Sequence, residues 1–202
     1  HSYDGSRIAC SILSTSAEPL VASAFVPYFS YPGSLAVAGT VGPLMTAITT
    51  QSFAWQLSGV DPACSSGAGS AANSCGIHIH SGMTCTADAA GHYYTGAVTA
   101  DPWTAVAYTA ATDGTTTGAV SVDTGSDAVN VIGRAMIIHA HDGSRIACAI
   151  LAAPTQPRLT AGGFVPYFSY TGTMRVGGAV GPMTTAGTTQ TFYYQLSGVD
   201  AA

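Results

Sequence analysis

The sequence predicts an all-β protein, and three observations carry that reading. Short runs rich in Val, Ile, Thr, Tyr and Phe are separated by Gly, Pro, Asp and Ser. No segment sustains a helical period. The runs are evenly spaced and strand-length, which predicts a Greek-key β-sandwich or flattened barrel. In order, the predicted strands are "AFVPYFSY" at 24–31, "SLAVAGTV" at 34–41, "QSFAWQLS" at 51–58 and "GIHIH" at 76–80. They continue with "TAVAYTAA" at 104–111, "TGAVSVD" at 117–123, "VIGRAMIIH" at 131–139 and "RIACAIL" at 145–151. "TDGT" at 112–115 is the turn signal between two of them. The aromatics of the first run are expected to pack on the core, and Trp103 to plug one end of it.

Composition narrows the function classes. The 202 residues are 47% hydrophobic, enough for a core, but only 7% are charged, and lysine is absent. A net charge of -5 argues against nucleic acid and against charge-driven binding to anionic membranes. No apolar run reaches membrane-spanning length. A surface so poor in charge is expected to be covered by other copies or by sugars. There is no Asn-x-Ser/Thr sequon, so any sugar would be O-linked.

The chain repeats itself. "HSYDGSRIACSIL" at 1–13 returns as "HAHDGSRIACAIL" at 139–151, and "FVPYFSYPGSLAVAGTVGPL" at 25–44 as "FVPYFSYTGTMRVGGAVGPM" at 164–183. "QLSGVDPA" at 56–63 returns as "QLSGVDAA" at 195–202. The offset is 138 positions at His1 and His139 and 139 at Phe25 and Phe164. Residues 64–138 occur once. The expected organisation is the end of a preceding repeat at 1–19, a complete repeat at 20–153 and the start of a following repeat at 158–202. Pro-containing joints at 14–24 and 152–163 read as linkers. A piece of a longer tandem array is expected, with neighbouring repeats or other copies of the chain as partners covering exposed strand edges.

Five cysteines fit the same frame. Cys10 is the copy of Cys148, and its partner would lie before residue 1. Within the complete repeat, Cys64 and Cys75 bracket "CSSGAGSAANSC", a loop that a local bridge would pin, leaving Cys85 and Cys148. Four cysteines allow three connectivities, and buried free thiols are the alternative. Disulfides imply an oxidising setting, here extracellular or at the cell surface.

The histidines carry the chemistry. His78 and His80 stand two apart in a predicted strand and so share a face. His92 opens "HYYTG" and His139 ends "VIGRAMIIHA". "GIHIHSG", "CTADAAGH", "GSDAVNVIGRAMIIHA" and "GSRIACAIL" follow in the order found in copper-zinc superoxide dismutases, and the chain resembles that family over nearly all of the complete repeat. The resemblance implies that family's β-sandwich, with His78, His80, His92 and His139 as copper ligands. It implies a Cys85–Cys148 disulfide and Arg145 as the arginine that guides an anionic substrate. His1 would serve the preceding repeat as His139 serves this one. His141 is replaced by Tyr3 in the copy, which favours His139 as the ligand.

Two departures sharpen the likeness. The family's zinc site needs further histidines after the fourth ligand, and "HYYTGAVTADPW" offers only Asp101, so no zinc is expected. Only eight residues separate His139 from Cys148, where the two-metal enzymes carry a long loop. Both match the copper-only branch. Asp101 is then expected to accept from the free nitrogen of His92. Met83 is expected to pack over the site rather than ligate. The expected function is a copper-binding repeat that dismutates superoxide to oxygen and peroxide. The alternative is a structural repeat of an extracellular filament or wall assembly whose copper site is vestigial or non-catalytic.

Overall fold

The structure is a computed structural model describing residues 1–11, 14–15, 19–153, 159–186, 189–192 and 194–200. It divides into two compact units. A continuous unit spans Pro19–Ala153, and a split unit joins His1–Glu18 with Pro154–Ala202. Strands β1 (Ala9–Cys10) and β2 (Ser14–Thr15) belong to the split unit.

The continuous unit is built from antiparallel strands. They are β3 (Leu20–Ser23), β4 (Val26–Pro27), β5 (Ala38–Ala47), β6 (Thr50–Ser58), β7 (Ile77–His80), β8 (Thr116–Asp123), β9 (Ala135–His139) and β10 (Arg145–Ile150). One sheet runs β3-β5-β6-β8, the other β4-β10-β9-β7. In β6 burial alternates, and Phe53, Trp55 and Leu57 point inward as a strand with one solvated face requires. In β7 and β9 every residue is buried, so both faces of this sheet are covered. One face carries Ile77, Ile79, Met136 and Ile138, which join Val41, Phe53, Trp55 and Leu57 of the other sheet in the main core. The opposite face carries His78, His80, Ala135, Ile137 and His139. Tyr28, Ala89 and Cys148 pack there with Ala135 and Ile137 in a second, smaller cluster.

Several predicted strands shift or vanish. The run at 24–31 pairs only over Val26–Pro27. Strand β3 lies inside a stretch read as a linker, because Leu20, Val21 and Ala22 are buried, Leu20 and Ala22 pair with β5, and Val21 exchanges hydrogen bonds with Ala152. The strand predicted at 34–41 lies at Ala38–Ala47 and continues past Pro43 through a register irregularity, a place where a strand tolerates proline. Residues 104–111 form no strand. They bridge at Ala107 to Gly76 and bury Tyr108, whose hydroxyl donates to the His139 carbonyl. The run at 131–139 is strand only over Ala135–His139; before it a short helix, Ala128–Val131, is capped by the Asp127 carboxylate accepting from the Asn130 amide, and a turn follows. The turn at 112–115 is present, with Gly114 at positive φ and Asp113 accepting from Thr115.

The split unit adds β11 (Leu159–Gly162), β12 (Val165–Pro166), β13 (Gly177–Ala186), β14 (Thr189–Thr191) and β15 (Tyr194–Ser197). Strand β1 pairs β12, and β2 pairs β11. Among the described residues, no helix is long and apolar enough to cross a membrane.

Candidate metal centre

The four histidines named from the sequence converge. β7 aims His78 and His80 from one face, away from the core side held by Ile77 and Ile79. β9 delivers His139 beside them through antiparallel pairing, with His78 opposite Ile137 and His80 opposite Ala135. His92 arrives from the loop after β7. Ser81 donates to the Gly91 carbonyl, Gly82 to that of Ala89, and Tyr93 to that of Ile79, so the loop folds back along the strand. One potential ligand nitrogen from each of His78, His80, His92 and His139 lies within 4.8 Å of the other three.

Each ring has its second nitrogen engaged. His78 Nε2 lies 2.7 Å from the Val106 carbonyl, and His80 Nδ1 lies 2.9 Å from that of Ala90. His139 Nδ1 lies 2.9 Å from the Gly143 carbonyl, and His92 Nδ1 lies 2.7 Å from the Asp101 carboxylate. Carbonyls and carboxylates only accept, so these four nitrogens carry the hydrogens. That leaves His78 Nδ1 and the Nε2 atoms of His80, His92 and His139 bare and turned inward. His78 Nδ1 and His92 Nε2 are buried without a protein partner, and the Nε2 atoms of His80 and His139 face each other at 3.4 Å. Four lone pairs meeting with no donor suit a cation.

Electrostatics keep the rings in ligand form. Burial, with His139 and His92 nearby, lowers His78 to about 2. Burial lowers His80 to about 3 and His139 to about 4, with the Arg145 charge acting on both.

The remaining predicted residues fall as follows. Asp101 accepts from His92 with one oxygen and from the Trp103 amide, at 2.9 Å, with the other. Trp103 is fully buried, donates from its indole to the Tyr93 carbonyl, and packs beside His78 and Phe53. Arg145 lies at the start of β10. It donates to the Tyr28 hydroxyl and to Asp88, both at 2.7 Å, and to the Ala90 carbonyl that His80 also uses. It borders an open cleft of about 400 Å³ with Tyr28, Phe29, Tyr31 and Asp88. Disulfides join Cys64 to Cys75 and Cys85 to Cys148, and Cys10 is free and exposed. Two disulfides point to an oxidising environment. His1 is exposed and belongs to no such cluster among the described residues. His141 stands outside the cluster, its amide bound by Asp61. Met83 does not cover the site. It is 62% exposed, with its methyl end near Gly133.

The sequence gives Tyr28 only a core-packing role, which its burial bears out, and gives Asp88 none, though both hold Arg145. The signal for Tyr28 was available, since "YFSY" and "GSRIAC" are both repeated. The carbonyls of Val106, Ala90 and Gly143 carry no sequence signal, because any residue offers one. Comparison with protein-family models finds no match, and comparison with curated proteins finds none.

Proposed function

We propose that the chain is an extracellular, copper-binding superoxide dismutase-like repeat, built as a Greek-key sandwich of the copper-zinc superoxide dismutase type in tandem array. The observation that carries this reading is the donor set: one Nδ1 and three Nε2 atoms, buried, unprotonated and preset by four separate hydrogen bonds. Imidazole sets favour copper most among the common divalent ions. The outward nitrogen of His92 is on Asp101 rather than facing a second cluster, which supports copper without zinc. His78, His80, His92 and His139 would hold the ion.

Copper held there supplies one-electron exchange, by which two superoxide ions and two protons become one O2 and one H2O2. Arg145 offers a fixed positive charge to the anion, oriented by Tyr28 and the Ala90 carbonyl. Asp88 offsets part of that charge, so long-range attraction is modest. His92, with Nδ1–H held by Asp101, would keep its Nε2 turned to the ion.

Metal analysis and superoxide turnover on the purified chain test the reading, with His78→Ala/His80→Ala as control. About one copper per chain, no zinc, and turnover lost in the control support it. No copper under saturating, oxidising conditions overturns it. Copper without turnover favours the structural reading, which the split unit supports by keeping its strand pairing with no histidine cluster among the described residues.

A further inference from the structure

The split unit rebuilds, from two ends of the chain, contacts that the continuous unit makes within one repeat. In the continuous unit β10 pairs β4 with Ala147 opposite Pro27 and Cys148 opposite Val26. In the split unit β1 pairs β12 with Ala9 opposite Pro166 and Cys10 opposite Val165, the same residues of the repeat in the same register. Val21 bridges Ala152 in one, and Thr160 pairs Ser14 at the matching positions in the other. Arg145 donates to Tyr28 at 2.7 Å, and Arg7 donates to Tyr167 at 2.6 Å. Their guanidinium carbons lie 5.4 and 5.2 Å from the respective ring centroids. The Tyr28 amide donates to the Ile146 carbonyl, and the Tyr167 amide to that of Ile8. The His141 amide donates to Asp61, and the Tyr3 amide to Asp200 at 2.8 Å.

This correspondence survives three losses. The split unit has no counterpart of residues 64–138, no disulfide at Cys10, and Tyr3 where the other copy has His141. The instructions for joining head to tail therefore lie in the two end segments themselves. No covalent link of the ordinary kind, from head through middle to tail, is needed to align them.

We infer that the segments carrying β1 and β2 and those carrying β11 and β12 are complementary surfaces that join a second copy of this chain as well as closing on their own. The tail segment of one chain fits the head segment of the next by the pairing of β1 with β12 and β2 with β11. Such a contact is heterologous, with different surfaces on the two sides, so it propagates head to tail when it does not close. Closure within a chain competes through its effective concentration, which for short tethers is in the millimolar range. Closed chains thus dominate in dilute solution, and joined chains grow as concentration approaches that range.

Cys10 supplies a reporter. It lies opposite Val165, both are exposed, and paired residues on antiparallel strands approach within disulfide reach. The full chain carrying Val165→Cys is oxidised at ~1 µM and at ~1 mM, as a mixture of isotopically labelled and unlabelled protein, and its linked peptides are identified by mass spectrometry. The expected result at low concentration is a monomer with position 10 joined to position 165 inside one chain. At high concentration the same linked peptide spans labelled and unlabelled chains, and the multimer share rises at least about tenfold. Cys10→Ser/Val165→Cys abolishes that peptide. Absence of the 10-to-165 link at both concentrations overturns the pairing. A link confined to single chains at ~1 mM overturns the joining of copies.

Discussion

The continuous and split units share their outer strands and differ in the segment between head and tail. Both pair β3-type with β5-type strands in one register: Leu20 faces Leu44 and Ser23 faces Thr40, as Leu159 faces Met183 and Gly162 faces Ala179. Only the continuous unit has the segment 64–138, and with it β7, β8, β9, both disulfides and three of the four clustered histidines. The fourth, His139, has a copy in His1 that stands exposed. A histidine thus does not join the cluster by its local sequence alone. "HxxDGSRIAC" surrounds both histidines, and only the one with β7 beside it joins a cluster.

Substitution at these two copies should break the comparison most sharply. His139→Ala removes one of four inward nitrogens and is expected to weaken copper binding by at least about 100-fold, while His1→Ala leaves it unchanged. Competition titration against a copper chelator reads both. Next in size is the core. Ile138 is fully buried between the sheets, so Ile138→Ala should cost about 2–5 kcal/mol. Phe168, exposed in the split unit, should change stability by no more than about 0.5 kcal/mol as Phe168→Ser. Urea unfolding followed at each unit separates the two.

Acid should also divide the units. In the metal-free continuous unit His78, His80 and His139 are lowered to about 2, 3 and 4 against an ordinary value of 6.5. Below pH 6.5 the unfolded chain takes up protons that the folded unit refuses. The stability these neutral rings contribute is therefore present above pH 6.5 and declines as pH falls towards their folded values. The urea midpoint of the metal-free continuous unit is expected to drop between pH 7 and pH 5, and an unchanged midpoint would contradict it. The smallest effect concerns Arg145. Asp88→Asn leaves it held by Tyr28 and the Ala90 carbonyl, much as Arg7 is held by Tyr167. Superoxide turnover should rise a few-fold at low salt and converge with the parent at high salt. Stopped-flow decay of superoxide across ionic strength measures it.

How much was legible follows from where each instruction is written. Strands at Thr50–Ser58, Ile77–His80, Thr116–Asp123 and Arg145–Ile150 stand where their β-rich runs predict, because those runs pair along their length. Residues 104–111 have the same composition but spend it on single anchors: the Tyr108 amide to Cys75, its hydroxyl to His139 and the Val106 carbonyl to His78. Strand β3 hid behind Pro19 in a stretch that looked like a joint, since it pairs with β5, from Leu20 with Leu44 to Ser23 with Thr40, and takes its bridge from Ala152. At the site, the four histidines and Asp101 were readable as side-chain types. Their carbonyl anchors were not, because backbone atoms leave no mark on sequence.

The Cys85–Cys148 bond ties the loop that carries the Ala90 carbonyl to the strand that carries Arg145. That one carbonyl orients both His80 and Arg145, so a single thiol pair governs a histidine and its neighbouring cation together. Reduction of that bond is expected to loosen both side chains at once, leaving the loop held to its strand by the backbone bonds of Ser81, Gly82 and Tyr93.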